Sequence, residues 1–214
     1  MMKSLLFLSI LFSFQTIASV CWDQTTEEKT SIVKEIVASY QSEALGRLGQ
    51  MIELRLSDTT DCRFIQAYGG HDKSGIPHVT FFPGLVREFS SDAVLFTLCH
   101  ELGHLFGSVN PQSMGIATPY DPRDSIEGEA DYFAGSCILN YLKDETLAFQ
   151  AGKEALQKFM GPTIKMAPDK ARKKKYKHGI DFDYPNPDCR LLTILNGIKG
   201  EERPKCWYNP KENR

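Results

Sequence analysis

The sequence predicts an α+β fold, a small antiparallel sheet packed against helices, from three observations. Apolar residues recur with a helical period near the N terminus, with a period of two between residues 51 and 82, and with a helical period again after residue 90. Strands gathered ahead of helices, rather than alternating with them, segregate the sheet to one side of a core. A chain of 214 residues, 42% of them hydrophobic, is long enough to enclose one such core.

In chain order, Thr25-Thr26-Glu27-Glu28 has the form of a capping box, and Ile32, Val33, Ile36, Val37 and Tyr40 follow at helical spacing. A helix from Thr26 to about Leu45 is expected. Ile52, Leu54 and Leu56 then alternate with Glu53 and Arg55, and the run from Ser57 to Asp61 makes a turn. Phe64 to Tyr68 resumes the alternation, which reads as a paired strand. After a loop over residues 69–75, Ile76 to Phe82 reads as a third strand, ended by Pro83-Gly84. Ser91 or Asp92 can cap the next helix. Leu95, Leu98, Leu102 and Leu105 form its apolar stripe, and Gly107 can close it in a left-handed conformation. Asp124 and Ser125 can cap a further amphipathic helix through Ile126, Ala130, Phe133, Ala134, Ile138 and Leu142. Beyond it, Pro185, Pro187, Pro204 and Pro210 leave room only for a short helix near Leu191 to Ile198.

The chemistry lies in His100-Glu101-Leu102-Gly103-His104. Two histidines one helical turn apart can direct ring nitrogens at one zinc ion. Glu101 projects beside that face and can serve as general base toward water activated at the metal. A catalytic zinc needs a third protein ligand and an open fourth position. Glu127, at the start of the second helix, supplies the ligand. Asp131, four residues on and on the same face, can accept a hydrogen bond from the far N–H of a ligand histidine. Glu129 points away from that face and is expected at the solvent or substrate side, with a backup role as ligand.

HELGH followed by Glu-x-x-Ala-Asp resembles the gluzincin metallopeptidases, including thermolysin-like and HtpX-like or CAAX-prenyl-endopeptidase-like enzymes. The string Glu127-Gly128-Glu129-Ala130 with Phe133-Ala134 also looks like that of short-gap bacterial zinc peptidases that cleave repressors. The resemblance covers about residues 91–138 and implies a zincin-like domain, with His100, His104 and Glu127 as ligands and Glu101 as base. It is not uniform: Ile126 and Ala130 stand where the thermolysin-like pattern has Asn and Ser, and the transmembrane helices of HtpX-like enzymes have no counterpart here.

Residues 1–19 read as an export signal: Lys3 supplies the basic end, residues 5–14 the apolar stretch, and Thr16-Ile17-Ala18 the small residues before a cut. Cleavage before Ser19 or Val20 delivers the chain to a secreted or periplasmic location. Cys21 invites comparison with a lipidated cysteine, but Val20 occupies a position that requires a small residue. No later stretch is long and apolar enough to span a bilayer. All six cysteines survive the cut, and an even number in an exported chain favours disulfides. Six cysteines allow about 15 pairings, among which the sequence does not choose; neighbouring segments suggest Cys21 with Cys62, Cys99 with Cys137 across the two metal-bearing helices, and Cys189 with Cys206. The expected organisation is a signal at 1–19, a metallopeptidase domain at 20–160 and a basic, proline-containing extension at 161–214 stapled by a disulfide.

The polar connection over residues 105–126 is expected to rim the cleft. Tyr120 and His178, with Tyr176 and Tyr184, are candidates to stabilise an oxyanion. The strand before the metal helix could align substrate as a sheet edge does, with His78 flanking the cleft, although a lone histidine in a strand is more often structural. Residues 170–178, from Lys170 to His178, hold six Lys or Arg; such a run is a solvated face or a weak contact for an anionic surface. A formal net charge of −2 gives no general attraction to nucleic acid. The expected function is an exported zinc metallopeptidase acting on peptide or protein chains. The alternatives are a zinc-containing binding or regulatory module without turnover, and an amidase acting on an envelope polymer.

Overall fold

A computed structural model describes residues 21–108, 123–161 and 187–206. Six helices and three strands make up these residues: α1 (Gln24–Leu48), β1 (Glu53–Leu56), β2 (Ala67–His71), β3 (Pro77–Phe81), α2 (Pro83–Glu88), α3 (Ser91–Phe106), α4 (Glu127–Leu142), α5 (Glu145–Met160) and α6 (Pro187–Lys199). The class is α+β, as the sequence predicts.

α1 starts slightly earlier than the threonine pair suggests, because Asp23 is the cap. Its Oδ1 accepts the Thr26 N–H at 3.1 Å, and the Thr26 hydroxyl donates back to the Asp23 carbonyl at 2.7 Å. Gly49, at φ 72°, closes the helix in the left-handed conformation. Val33, Ile36, Val37 and Ala44 face the core.

The sheet departs from the expected antiparallel arrangement. Its order is β1-β3-β2, with β1 parallel and β2 antiparallel to β3. Strands expected to pair with each other instead flank β3. Their connection is tied to the residues before α1 by the Cys21–Cys62 disulfide and by the Trp22 indole N–H donating to the Ser57 carbonyl at 3.1 Å. β2 also extends through Gly69, Gly70 and His71, residues expected in a loop. Pro83 does more than end a strand: it opens α2, where its missing N–H costs nothing.

α3 is the central element. Its cap is Ser90, whose hydroxyl accepts the Ala93 N–H at 3.2 Å. Every residue from Ala93 to Gly103 is buried, so the helix is enclosed on all sides rather than amphipathic. Gly107 is not left-handed (φ −59°); glycine is needed there because a Cβ would stand 2.2 Å from the Ser125 hydroxyl. α4 crosses α3 closely, as a Cβ at Gly103 would lie 2.7 Å from the Ala130 backbone, and Cys99–Cys137 joins the two helices. Asp124 and Ser125 do not cap α4; Ile126 precedes it without a side-chain cap.

α5, which no motif marks, lays Ala148, Ala151, Gly152, Ala155 and Leu156 against the core. α6 begins at Pro187, ahead of the expected Leu191, and so carries Cys189 and Arg190. Although it belongs to the C-terminal segment, its Leu191, Ile194 and Ile198 are part of the same buried cluster as α3 and α4. All three expected disulfides are present, with Cys189–Cys206 tying α6 to the chain that follows it. No described helix is long and apolar enough to cross a membrane.

Candidate functional site

Helical geometry places His100 and His104 one turn apart on α3, with ring centroids 4.9 Å apart and planes nearly perpendicular. The α3–α4 crossing then brings Glu127, the first residue of α4, to both rings. Glu127 Oε2 lies 3.3 Å from His100 Nε2, and Oε1 lies 3.6 Å from His104 Nε2. One donor atom from each of the three residues can be chosen so that all lie within 4.8 Å of one another, a grouping able to hold a metal ion.

Hydrogen bonding prepares the His104 ring for such a role. Its Nδ1–H donates to the Ser125 carbonyl at 2.7 Å, which leaves the Nε2 lone pair directed at the cluster. Around His100, Asp131 Oδ1 stands 3.0 Å from Nδ1, an ionic contact whose angle falls short of a hydrogen bond. Asp131 is fully buried. Arg190 grips it with two donors, Nε to Oδ2 at 2.7 Å and a terminal nitrogen to Oδ1 at 2.8 Å, and that terminal nitrogen is 3.2 Å from Glu127 Oε2.

Burial and charge pull the carboxyls apart. Burial works against ionisation of Asp131 and Glu127. Arg190 and His100 outweigh it at Asp131, as do His100, Arg190 and His104 at Glu127, so both groups are held below the usual carboxylate range. For His100, burial is likewise opposed and overcome by the two acidic partners, which raise its pKa. Glu101 moves the other way: desolvation dominates and pushes its carboxyl up, despite the nearby histidines and a backbone hydrogen bond from Gly69. A buried carboxyl biased toward holding a proton, beside two groups biased toward charge, is a division suited to acid–base work.

A cleft of about 490 Å³ opens over the cluster. One wall is Ile65 to Gly69, entering and including β2; the other includes Ala155, Leu156, Phe159 and Met160 of α5. The edge strand at the cleft is therefore β2. β3, the strand expected there, is interior to the sheet, and its His78 does not line the cleft. Gly69 permits the close approach of β2, since a Cβ would lie 2.2 Å from the Glu101 carbonyl oxygen.

Glu129 is neither solvent-directed nor turned toward the imidazoles. It is 3% exposed, and Arg203 holds it with Nε to Oε2 at 2.6 Å and a terminal nitrogen to Oε1 at 2.7 Å, while the Ser108 N–H and hydroxyl donate to Oε1. Tyr120, Tyr176, His178, Tyr184 and the basic run from Lys170 lie outside the described residues. Arg190 is the site residue that sequence reasoning misses. Its one local signal is its place beside a paired cysteine, which indicates position but no chemistry.

No curated protein and no solved structure matches the chain. The family model for Peptidase U49 matches residues 73–209, more than half of the chain, and the match takes in Glu101, the three convergent residues, Asp131 and Arg190. The chain belongs to the Peptidase U49 family, and it is a peptidase.

Proposed function

We propose that this peptidase is an exported, zinc-dependent enzyme of gluzincin type, with His100, His104 and Glu127 holding the ion. The observation that carries the reading is the spacing of the donors. Two ligand atoms of a tetrahedral zinc site, each about 2.05 Å from the ion, stand about 3.3 Å apart. Glu127 Oε2 lies 3.3 Å from His100 Nε2 and Oε1 lies 3.6 Å from His104 Nε2, so each imidazole nitrogen has a carboxylate oxygen near that spacing. The low exposure of these donor side chains, 11% to 14%, and the Nδ1–H of His104 being engaged by a carbonyl, favour a metal over a solvated charge cluster.

Zinc bound there supplies a Lewis acid for the scissile carbonyl and makes water more acidic. Glu101 accepts the proton released as water attacks the peptide carbon, then donates it to the departing amine. Arg190 keeps Asp131 and Glu127 ionised, and Asp131 steadies the His100 ring. β2 has no strand on its outer side and lines the cleft, so an extended peptide can pair there with main-chain groups that Glu101 and Asp124 do not take. The apolar stretch before Cys21 and the three disulfides favour a secreted or periplasmic enzyme. Membership of a peptidase family favours hydrolysis of peptide bonds over a binding module without turnover or an envelope amidase.

Zinc stoichiometry measured alongside cleavage of a peptide library tests the reading. One zinc per chain and chelator-sensitive cleavage are expected, and Glu101→Gln should keep the zinc while kcat falls about 10²- to 10⁴-fold. Full activity in Glu101→Gln, or cleavage by a chain free of metal, would sink the mechanism.

A further inference from the structure

The direction in which His104 points is set from outside its own helix. The Ser125 carbonyl accepts its Nδ1–H, and the Ser125 N–H donates back to the His104 carbonyl, both at 2.7 Å. With both of its backbone polar groups committed to one residue, Ser125 carries the imidazole with it when it moves. The preceding residue, Asp124, is seized by β2. Its Oδ1 lies 2.7 Å from His71 Nδ1, and its Oδ2 accepts the His71 backbone N–H at 3.2 Å. The two side chains are 6% and 16% exposed, so water competes weakly for these bonds. Gly70 completes the seat: its φ is +153°, and a Cβ there would stand 2.5 Å from Asp124 Oδ2. β2 precedes residue 73, where the family match begins, so family membership does not speak for this contact.

We propose that His71 and Asp124 are positioning residues: their pair fixes Ser125, hence the aim of His104 Nε2 at the metal, and ties that imidazole to the strand edge at the cleft. The inference rests on the cluster being a zinc site. It assigns the pair a role in metal affinity that a contact serving only stability would lack, because the partners that orient a ligand histidine alter how tightly the metal is held.

Zinc affinity, measured by chelator competition on the purified, disulfide-intact chain, tests it together with the melting temperature of the metal-free protein. His71→Ala and Asp124→Ala should each weaken zinc binding about tenfold. His71→Asn should restore it, because the amide nitrogen can stand near the position of Nδ1 and donate to Asp124. If His71→Ala does not fold, Asp124→Asn, which keeps the shape and removes the charge, gives the same readout with the same expected direction. Folded alanine variants that melt lower yet bind zinc as the wild type does would overturn the positioning role alone. A wild-type chain that binds no zinc would overturn the parent reading and this one with it.

Discussion

Two faces of α4 carry the same chemical unit, a buried carboxylate gripped by an arginine from the C-terminal segment, and they use it differently. On one face Arg190 holds Asp131 and touches Glu127, and both carboxylates also meet His100. On the other, Arg203 holds Glu129, and among the described residues the pair also meets Ser108 and the Tyr132 ring. The first unit opens on the cleft and shares its negative charge with imidazoles; the second closes on itself and fastens the end of α3 to α4 and to the chain after α6. An arginine–carboxylate pair thus becomes functional through what else reaches the carboxylate, and its position on a helical wheel does not reveal that.

The largest expected difference between the faces comes from Arg190→Met. It leaves Asp131 charged, fully buried and short of its main partner, at a cost of about 3–5 kcal/mol read as a shift in urea midpoint. The pH dependence should change as well. Because the folded-state pKa of Asp131 is depressed, its stabilisation is present above the ordinary carboxylate range, about pH 4, and is lost as the pH falls below it. In metal-free protein, the loss of stability on acidification should be smaller in Arg190→Met than in wild type. An unchanged acid limb would mean that Arg190 does not depress Asp131.

An intermediate effect is expected from removing the Cys189–Cys206 link, which spans 17 residues and lies next to Arg190 at one end and three residues beyond Arg203 at the other. Replacing both cysteines with serine should cost about 3 kcal/mol by chain entropy, and it should loosen both arginines together, measured as faster hydrogen exchange at the start of α4 and around Ser108. Loosening at one face alone would show that the two units are anchored independently. The smallest effect is expected from Arg203→Met. Its guanidinium is about one-third exposed, so solvent can partly replace it, and about 1–2 kcal/mol should be lost with zinc affinity unchanged. A fall in metal affinity in that variant would show that the closed face also shapes the cluster.

Much of the site was legible because one helical turn is a local rule. His100 and His104 share a face wherever a helix forms, and Glu127 and Asp131 obey the same spacing. An even number of cysteines signalled disulfides, but which of them pair depended on packing that joins residues 41 and 38 apart. Glu129 was misjudged because wheel geometry knows nothing of an arginine 74 residues away. The strand of His78 does not form the cleft edge because the sheet order makes it interior, and His78 itself stays away from the cleft, as a lone histidine in a strand usually does. Gly69 and Gly70 looked like loop residues, yet one lets β2 lie on Glu101 and the other seats Asp124.

The sequence alone determined the helices with strong caps and periods, the α+β class, and the histidine pair with its adjacent glutamate. Each depends on residues close along the chain. Tertiary structure alone decided that β2 forms the edge at the cleft, that α5 packs on α3 while α6 packs on α4 and α5, and that Arg190 and Arg203 divide the carboxylates of α4 between the cleft and the opposite face. Those outcomes depend on which distant surfaces bury each other, a competition among long-range contacts that no local spacing encodes.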